Sequence, residues 1–117
     1  MLCDILDKGE VDSKYYLSEK TTQYIINRGS GRFCKVQSFE EKGKSKCLLA
    51  RYQKLKGTGT YVFDIKGIRA LTLTECARLQ TVPIWYKWIV SNNQTYKMLG
   101  NGWTIEIIKH ILQYNER

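Results

Sequence analysis

The side chains best suited to nucleophilic or metal chemistry in this sequence are four thiols and one imidazole: Cys3, Cys34, Cys47, Cys76 and His110. A thiolate attacks carbon or binds a soft metal when a base, a cation or a second ligand lies beside it. The cysteines stand at wide, irregular separations with no Cys-x-x-Cys pair, which argues against a zinc site and against a disulfide framework. No metal is expected. Cys76 falls at helical spacing with Leu73, Ala77 and Leu79 and reads as a packed helix residue rather than a nucleophile. His110 lies in an amphipathic stretch near the carboxy end and takes a structural or solvent role. The pairs Gly29-Ser30-Gly31 and Gly57-Thr58-Gly59 lack the strand-then-helix setting of a phosphate-cradling loop, so they read as loop glycines. No catalytic residue is assigned.

Charge is the second chemical signal. The chain carries a formal +8, and residues 28–56 hold nine Lys/Arg against two Asp/Glu, so this middle third supplies +7 of it. The basic residues are Arg28, Arg32, Lys35, Lys42, Lys44, Lys46, Arg51, Lys54 and Lys56, interleaved with Phe33, Phe39 and Tyr52 and followed by Tyr61 and Phe63. Taken alone, such a run is a solvated loop and the aromatics are the core of a very small sheet. Beside the blocks that flank it, contact with nucleic-acid phosphates is the stronger reading. No run of eighteen apolar residues occurs, and Asp4 and Asp7 stand where a signal peptide needs basic residues, so the sequence reads as cytosolic with no membrane partner.

The elements that must position these groups are a mixture of helices and short strands, an α+β pattern in a single domain of 117 residues. Leu2 to Asp7 is helix-like but too short to stand alone, and is expected to dock on something else. Ser18 caps a helix with Thr21, Tyr24 and Ile25 on its apolar face, stopping near Gly29. Phe33–Phe39, Cys47–Tyr52 and Thr60–Ile65 are the expected strands. Thr72-Leu73-Thr74-Glu75 is a capping box that starts a helix, and Pro83 ends that region. Ser91 and Gln94 repeat the device, and Gly100 is expected to close the second helix in a left-handed conformation. A last amphipathic helix follows Trp103 and Thr104, with Ile105, Ile108, Ile111 and Leu112 on one face.

The block from Leu71-Thr72 to Pro83, with Arg69, Glu75, Arg78 and Leu79, resembles the ninth sequence motif of the DNA cytosine-5 methyltransferases. Tyr96-Lys97 with Gly100-Asn101 resembles the tenth, and Asp4-Ile5-Leu6 to Tyr15-Tyr16-Leu17-Ser18 is similar to the stretch that leads from that family's large domain into its target recognition region. The resemblance implies a fragment of a Rossmann-like α/β methyltransferase, with a small irregular β recognition region flanked by helices. Residues 1–27 would be a connecting segment and helix from the catalytic domain, 28–70 the target recognition region, and 71–117 the ninth- and tenth-motif helices returning to the catalytic domain.

In that family S-adenosylmethionine donates a methyl group to a cytosine flipped from the duplex, and a cysteine thiolate adds to the ring. The family's nucleophile follows a proline, whereas Pro83 is followed by Ile84, and no Glu-Asn-Val triplet occurs. This chain alone is therefore expected to be inactive, with its partners being double-stranded DNA and an amino-terminal catalytic domain or subunit. By resemblance, Arg69, Thr72, Glu75, Arg78, Ser91 and Gln94 are structural supports, and Glu75→Ala is expected to cost about 1 kcal/mol through the cap. Gly100, Asn101, Gly102 and Trp103 belong at the cofactor pocket, Asn101 nearest to it. Trp103 either adds stacking area there or fills the domain joint, the second being the preferred reading, because Gly102-Trp103 replaces the commoner Ser-Val. Thr81-Val82 likewise stands where Gly-Phe is usual. The DNA-binding set is Arg28, Arg32, Lys35, Lys44, Lys46, Arg51, Lys54, Lys56, Thr58 and Thr60. An excised piece of a restriction-modification methyltransferase encoded by a bacterium or phage is the preferred reading. The alternatives are the small subunit of a two-chain enzyme and a non-catalytic basic DNA-binding module.

Overall fold

Five α-helices and three strands form among the described residues, which are 1–28, 34–38, 40–50, 52 and 59–115 of the computed structural model. In chain order they are α1 (Leu2–Ile5), a 3-10 turn (Ser13–Tyr15), α2 (Glu19–Arg28), β1 (Cys34–Ser38), β2 (Gly59–Asp64), β3 (Gly67–Ala70), α3 (Leu73–Leu79), α4 (Asn92–Asn101) and α5 (Ile105–Asn115). The sheet order is β1-β2-β3. β1 runs parallel to β2, with Cys34 opposite Gly59 and Ser38 opposite Phe63. β3 returns antiparallel, pairing Tyr61 with Ala70 and Asp64 with Gly67. The hairpin turns at Ile65-Lys66 and is set by the Asp64 side chain, which accepts from the Lys66 amide at 2.8 Å, and by Gly67 at φ +132°.

β2 is covered on both faces over Gly59–Val62, so Tyr61 and Val62 point into two apolar clusters, while Phe63 further along is exposed. Tyr61 packs with Ile25 of α2, and Val62 packs with Leu2, Leu6, Leu71, Cys76, Tyr96 and Leu99. Tyr52 joins the sheet to the helices. Its buried hydroxyl donates to the Thr60 carbonyl at 2.5 Å and accepts from the Leu71 amide at 2.8 Å, while the Tyr96 hydroxyl donates to the Leu71 carbonyl at 3.1 Å. Burial pushes both phenols above their usual range, so both remain neutral donors.

Several local expectations are corrected. The described residues of Cys47–Tyr52 form no strand; Tyr52 is a core anchor and the run before it is loop. β3 is an additional strand that the sequence reading did not include. α2 follows Ser18 as expected and buries Thr21 and Ile25, but Tyr24 is exposed. α3 stops at Leu79, ahead of Pro83, where Thr81 turns the backbone to φ 57°. Gly100 is helical, not left-handed, and α4 continues through Asn101 to a cap at Gly102 with φ −81°. No helix among the described residues is long and apolar enough to cross a membrane.

Candidate functional site

Where β3 passes into α3, a buried ionic knot forms. The Arg69 guanidinium, 1% exposed, donates to both oxygens of Glu75, which is wholly buried, at 2.7 and 3.0 Å. Glu75 also accepts from the Thr72 amide at 2.8 Å and from the Asp7 amide at 3.0 Å. The capping box is complete, because the Thr72 hydroxyl accepts from the Glu75 amide at 3.2 Å. One carboxylate therefore closes the start of α3, neutralises a buried cation and ties down the chain after α1. Burial opposes the Arg69 charge, yet the hydrogen bonds and negative charge of Glu75 raise its affinity for the proton. Arg78 extends the knot to the surface with an ion pair to Asp7 at 2.6 Å and a bond to the Ile5 carbonyl at 3.0 Å. The bonds of this knot brace secondary structure, and Arg69 Nε is left without a hydrogen bond, 3.9 Å from Asp64.

Ser91 starts α4 by accepting from the Gln94 amide at 3.3 Å. The helix ends at a shallow concavity of about 460 Å³ lined by Asn101, Gly102, Trp103, Ile105, Ile108 and Lys109. Asn101 is exposed and Trp103 is 75% exposed. Asn101 and Trp103 both line this concavity, which is open to solvent. Gly100 has a different task. A Cβ placed there would lie 2.2 Å from the Ala50 nitrogen and 2.4 Å from the Leu49 carbonyl carbon, so the residue lets the 49–50 backbone lie directly on α4.

The basic region is brought together only in part. The Lys35 ammonium donates to the Lys44 carbonyl at 2.9 Å, the Gln37 amide donates to the Glu41 carbonyl at 2.6 Å, and the Leu2 amide donates to the Gly43 carbonyl at 2.8 Å. The segment 40–46 is thereby pinned over β1 and α1, presenting an exposed Lys44 and a half-buried Lys46. Thr60 is buried, and its hydroxyl accepts from the Lys46 amide at 2.8 Å, which anchors the same segment. Arg28 closes α2. Its side chain lies outside the described residues, as do Arg32, Arg51, Lys54, Lys56 and Thr58, and the aromatic residues Phe33 and Phe39.

Two features were missed by reasoning from sequence. Gln80 and Thr81 join α3 to both α4 and α5, and only the unusual Thr81-Val82 pair hinted at it. The second is how little α5 buries. None of its residues is buried, and Ile107, Ile111, Leu112 and Tyr114 are 58%, 51%, 54% and 63% exposed. Ile107, Ile108 and Ile111 line one wall of a groove of about 830 Å³ whose other walls include Leu2, Ile5, Leu48, Leu79 and Trp103.

Comparison with known proteins gives a consistent picture. The family model described as C-5 cytosine-specific DNA methylase matches residues 6–116. The type II methyltransferase M.DsaV of Dactylococcopsis salina is 31% identical over an alignment covering 94% of this chain and 33% of that protein. M.MspI of Moraxella sp is 29% identical, covering 85% of this chain and 24% of its own length. The chain thus spans a third or less of the length of these relatives. Among solved structures, the Entamoeba histolytica methyltransferase EhMeth superposes with a TM-score of 0.76 at 20% identity, and S. pombe Dnmt2 with 0.77 at 19%. Each covers 97% of this chain, which in turn covers 39% and 40% of them. The shared fold is that of a fragment of a Rossmann-like methyltransferase.

Proposed function

Because the chain belongs to the C-5 cytosine-specific DNA methylase family, we propose that it is the carboxy-terminal portion of a DNA cytosine-5 methyltransferase. It grips duplex DNA and completes the S-adenosylmethionine pocket of a catalytic portion supplied upstream in the same polypeptide or by a separate subunit. The observation that carries this reading is the uncovered apolar face of α5, which continues into a groove walled by α1 and the end of α3. An amphipathic helix with no residue buried is a surface lacking its mate.

Within this division of labour, residues 1–27 lead from the catalytic portion, 28–70 meet DNA, and 71–117 return to it. Lys44 and Lys46 face phosphates together with the basic residues outside the described set. Arg69 and Glu75 hold the recognition sheet to α3, so the DNA-facing segments keep their register. S-adenosylmethionine would supply a methyl group activated by its sulfonium. Asn101 and Trp103 are the residues that would hold it, through the amide and the indole face. Cys76 does not act as the attacking thiol, because burial raises its pKa far above neutrality and keeps it protonated.

Methyl incorporation into duplex DNA tests the proposal, using labelled S-adenosylmethionine and the catalytic portion supplied joined or separate. The expected result is no transfer by this chain, and transfer once both portions are present. Transfer by the purified chain alone, or DNA binding with no gain from the catalytic portion, would overturn it. The second of these outcomes is the behaviour of a plain basic DNA-binding module.

A further inference from the structure

We infer that Gln80 and Thr81, just beyond α3, act as positioning residues: one latch that caps α4 and α5 together and fixes the Asn101–Trp103 turn between them. The last carbonyls of a helix and the first amides of the next have no partners within their own helices. Here a single dipeptide supplies partners for both. The Gln80 amide nitrogen donates to the Leu99 carbonyl at 2.7 Å and, more weakly, to the Gly102 carbonyl at 3.5 Å. Its side-chain oxygen accepts from the Thr104 hydroxyl at 3.0 Å, and its backbone carbonyl accepts from the Ile105 amide at 3.1 Å. The Thr81 hydroxyl then accepts from the Glu106 amide at 3.0 Å.

Thr81 reaches that amide from φ 57°, a conformation that L residues with branched side chains rarely adopt. Such strain persists only where the surroundings hold it, and the bonds made by the dipeptide are what hold it here. The latch matters because α5 buries no residue, so polar contacts at its first turn bear most of its orientation. Its link to the cofactor rests on the function proposed above; the capping geometry does not.

The test measures amide hydrogen exchange in the full chain for Thr81→Val, Thr81→Ser, Gln80→Met and Gln80→Glu, followed by kinetics of the enzyme with its catalytic portion. Thr81→Val should speed exchange of the Glu106 amide about tenfold while Thr81→Ser leaves it protected, since only the hydroxyl is at stake. Gln80→Met and Gln80→Glu should each speed exchange of the Gly102 amide, which donates to the Met98 carbonyl in the last turn of α4 that Gln80 closes through the Leu99 and Gly102 carbonyls, with the amides of Tyr61 and Val62 unchanged as an internal check on folding. Gln80→Met should then raise KM for S-adenosylmethionine about tenfold and leave DNA affinity alone. Unchanged exchange at Glu106 and Gly102 overturns the latch. Faster exchange with an unmoved KM overturns the positioning role while the proposed function stands. Absence of transfer even by the parent pair would instead count against the proposed function, leaving exchange to decide the latch.

Discussion

Replacing Glu75 with alanine should cost the chain far more than the loss of a helix cap. The carboxylate accepts two hydrogen bonds from Arg69, at 2.7 and 3.0 Å, and one each from the Thr72 and Asp7 amides, at 2.8 and 3.0 Å. Removing it leaves a guanidinium 1% exposed, with Asp64 the next carboxylate at 3.9 Å from Arg69 Nε, beyond hydrogen-bond range. Breaking a buried pair from one side costs about 3–5 kcal/mol, because the remaining charge is stranded without water. A cap alone costs about 1 kcal/mol, the figure expected from sequence, so the geometry revises that expectation upward. Urea unfolding reads the difference. With a slope of about 2 kcal/mol per molar, Glu75→Ala should lower the midpoint by about 2 M. Thr72→Ala, which removes the cap and spares the ion pair, should lower it by about a quarter of that. Replacing both members, Arg69→Met with Glu75→Leu, should recover part of the loss, since no unpaired charge is then buried. Equal midpoints for Glu75→Ala and Thr72→Ala, or a double variant no more stable than the single, would refute the reasoning.

Three further outcomes follow from other parts of the structure. Asp64 is ionised more readily than the ordinary 3.8: burial works against its charge, but the Tyr16 hydroxyl, the Lys66 amide and the Arg69 charge outweigh it. Its contribution to stability is therefore full above that ordinary value and lost as pH falls through the lower folded-state value. Asp64→Asn should flatten this acid limb in urea midpoints taken against pH, and an unchanged limb would reject the assignment. Gly100→Ala decides its case by sign. In an open helix the change gains up to about 1 kcal/mol of helix propensity, whereas overlap with the Ala50 nitrogen at 2.2 Å should destabilise by about 1–3 kcal/mol, so a calorimetric Tm that rises contradicts the close approach. Lys44→Ala should reduce the dependence of log K for DNA on log salt by about 0.9, and a slope equal to the parent's would make Lys44 a solvated residue.

What the sequence revealed was what lies close along the chain. The Thr72–Glu75 and Ser91–Gln94 spacings located two helix starts because a cap is decided within four residues. The distant partner of Glu75 was not legible, since Asp7 lies 68 positions away and nothing in its neighbourhood announces the contact. Gly100 was recognised as special for the wrong reason: a glycine near a helix end suits a left-handed cap, but here the demand comes from the backbone of Leu49 and Ala50. β3 escaped notice because it has four residues and carries an inward arginine, which no alternating apolar pattern would suggest. Cys47–Tyr52 failed in the opposite direction. Its apolar character belongs to a loop folded onto the core through Tyr52, and composition alone cannot separate that from a strand.

The candidate site divides along the same line. Periodicity predicted α5, yet an apolar stripe reads identically whether its mate is within the chain or outside it. Among the described residues, Ile107, Ile111, Leu112 and Tyr114 stay about half exposed once the rest of the fold has formed. Fully burying such a side chain is worth about 1.5–3 kcal/mol, and these four are already about half covered, so docking α5 alone would gain roughly 3–6 kcal/mol. Association between separate chains costs about 4–15 kcal/mol in lost freedom, which this face cannot reliably offset by itself. Under the proposed function, the groove formed with Leu2, Ile5, Leu48 and Trp103 would contribute as well, or the two portions would be joined so that little translational freedom is lost. On either route the proposed docking needs α5 oriented beforehand, and the bonds from Gln80 and Thr81 at its first turn are the contacts proposed to do that.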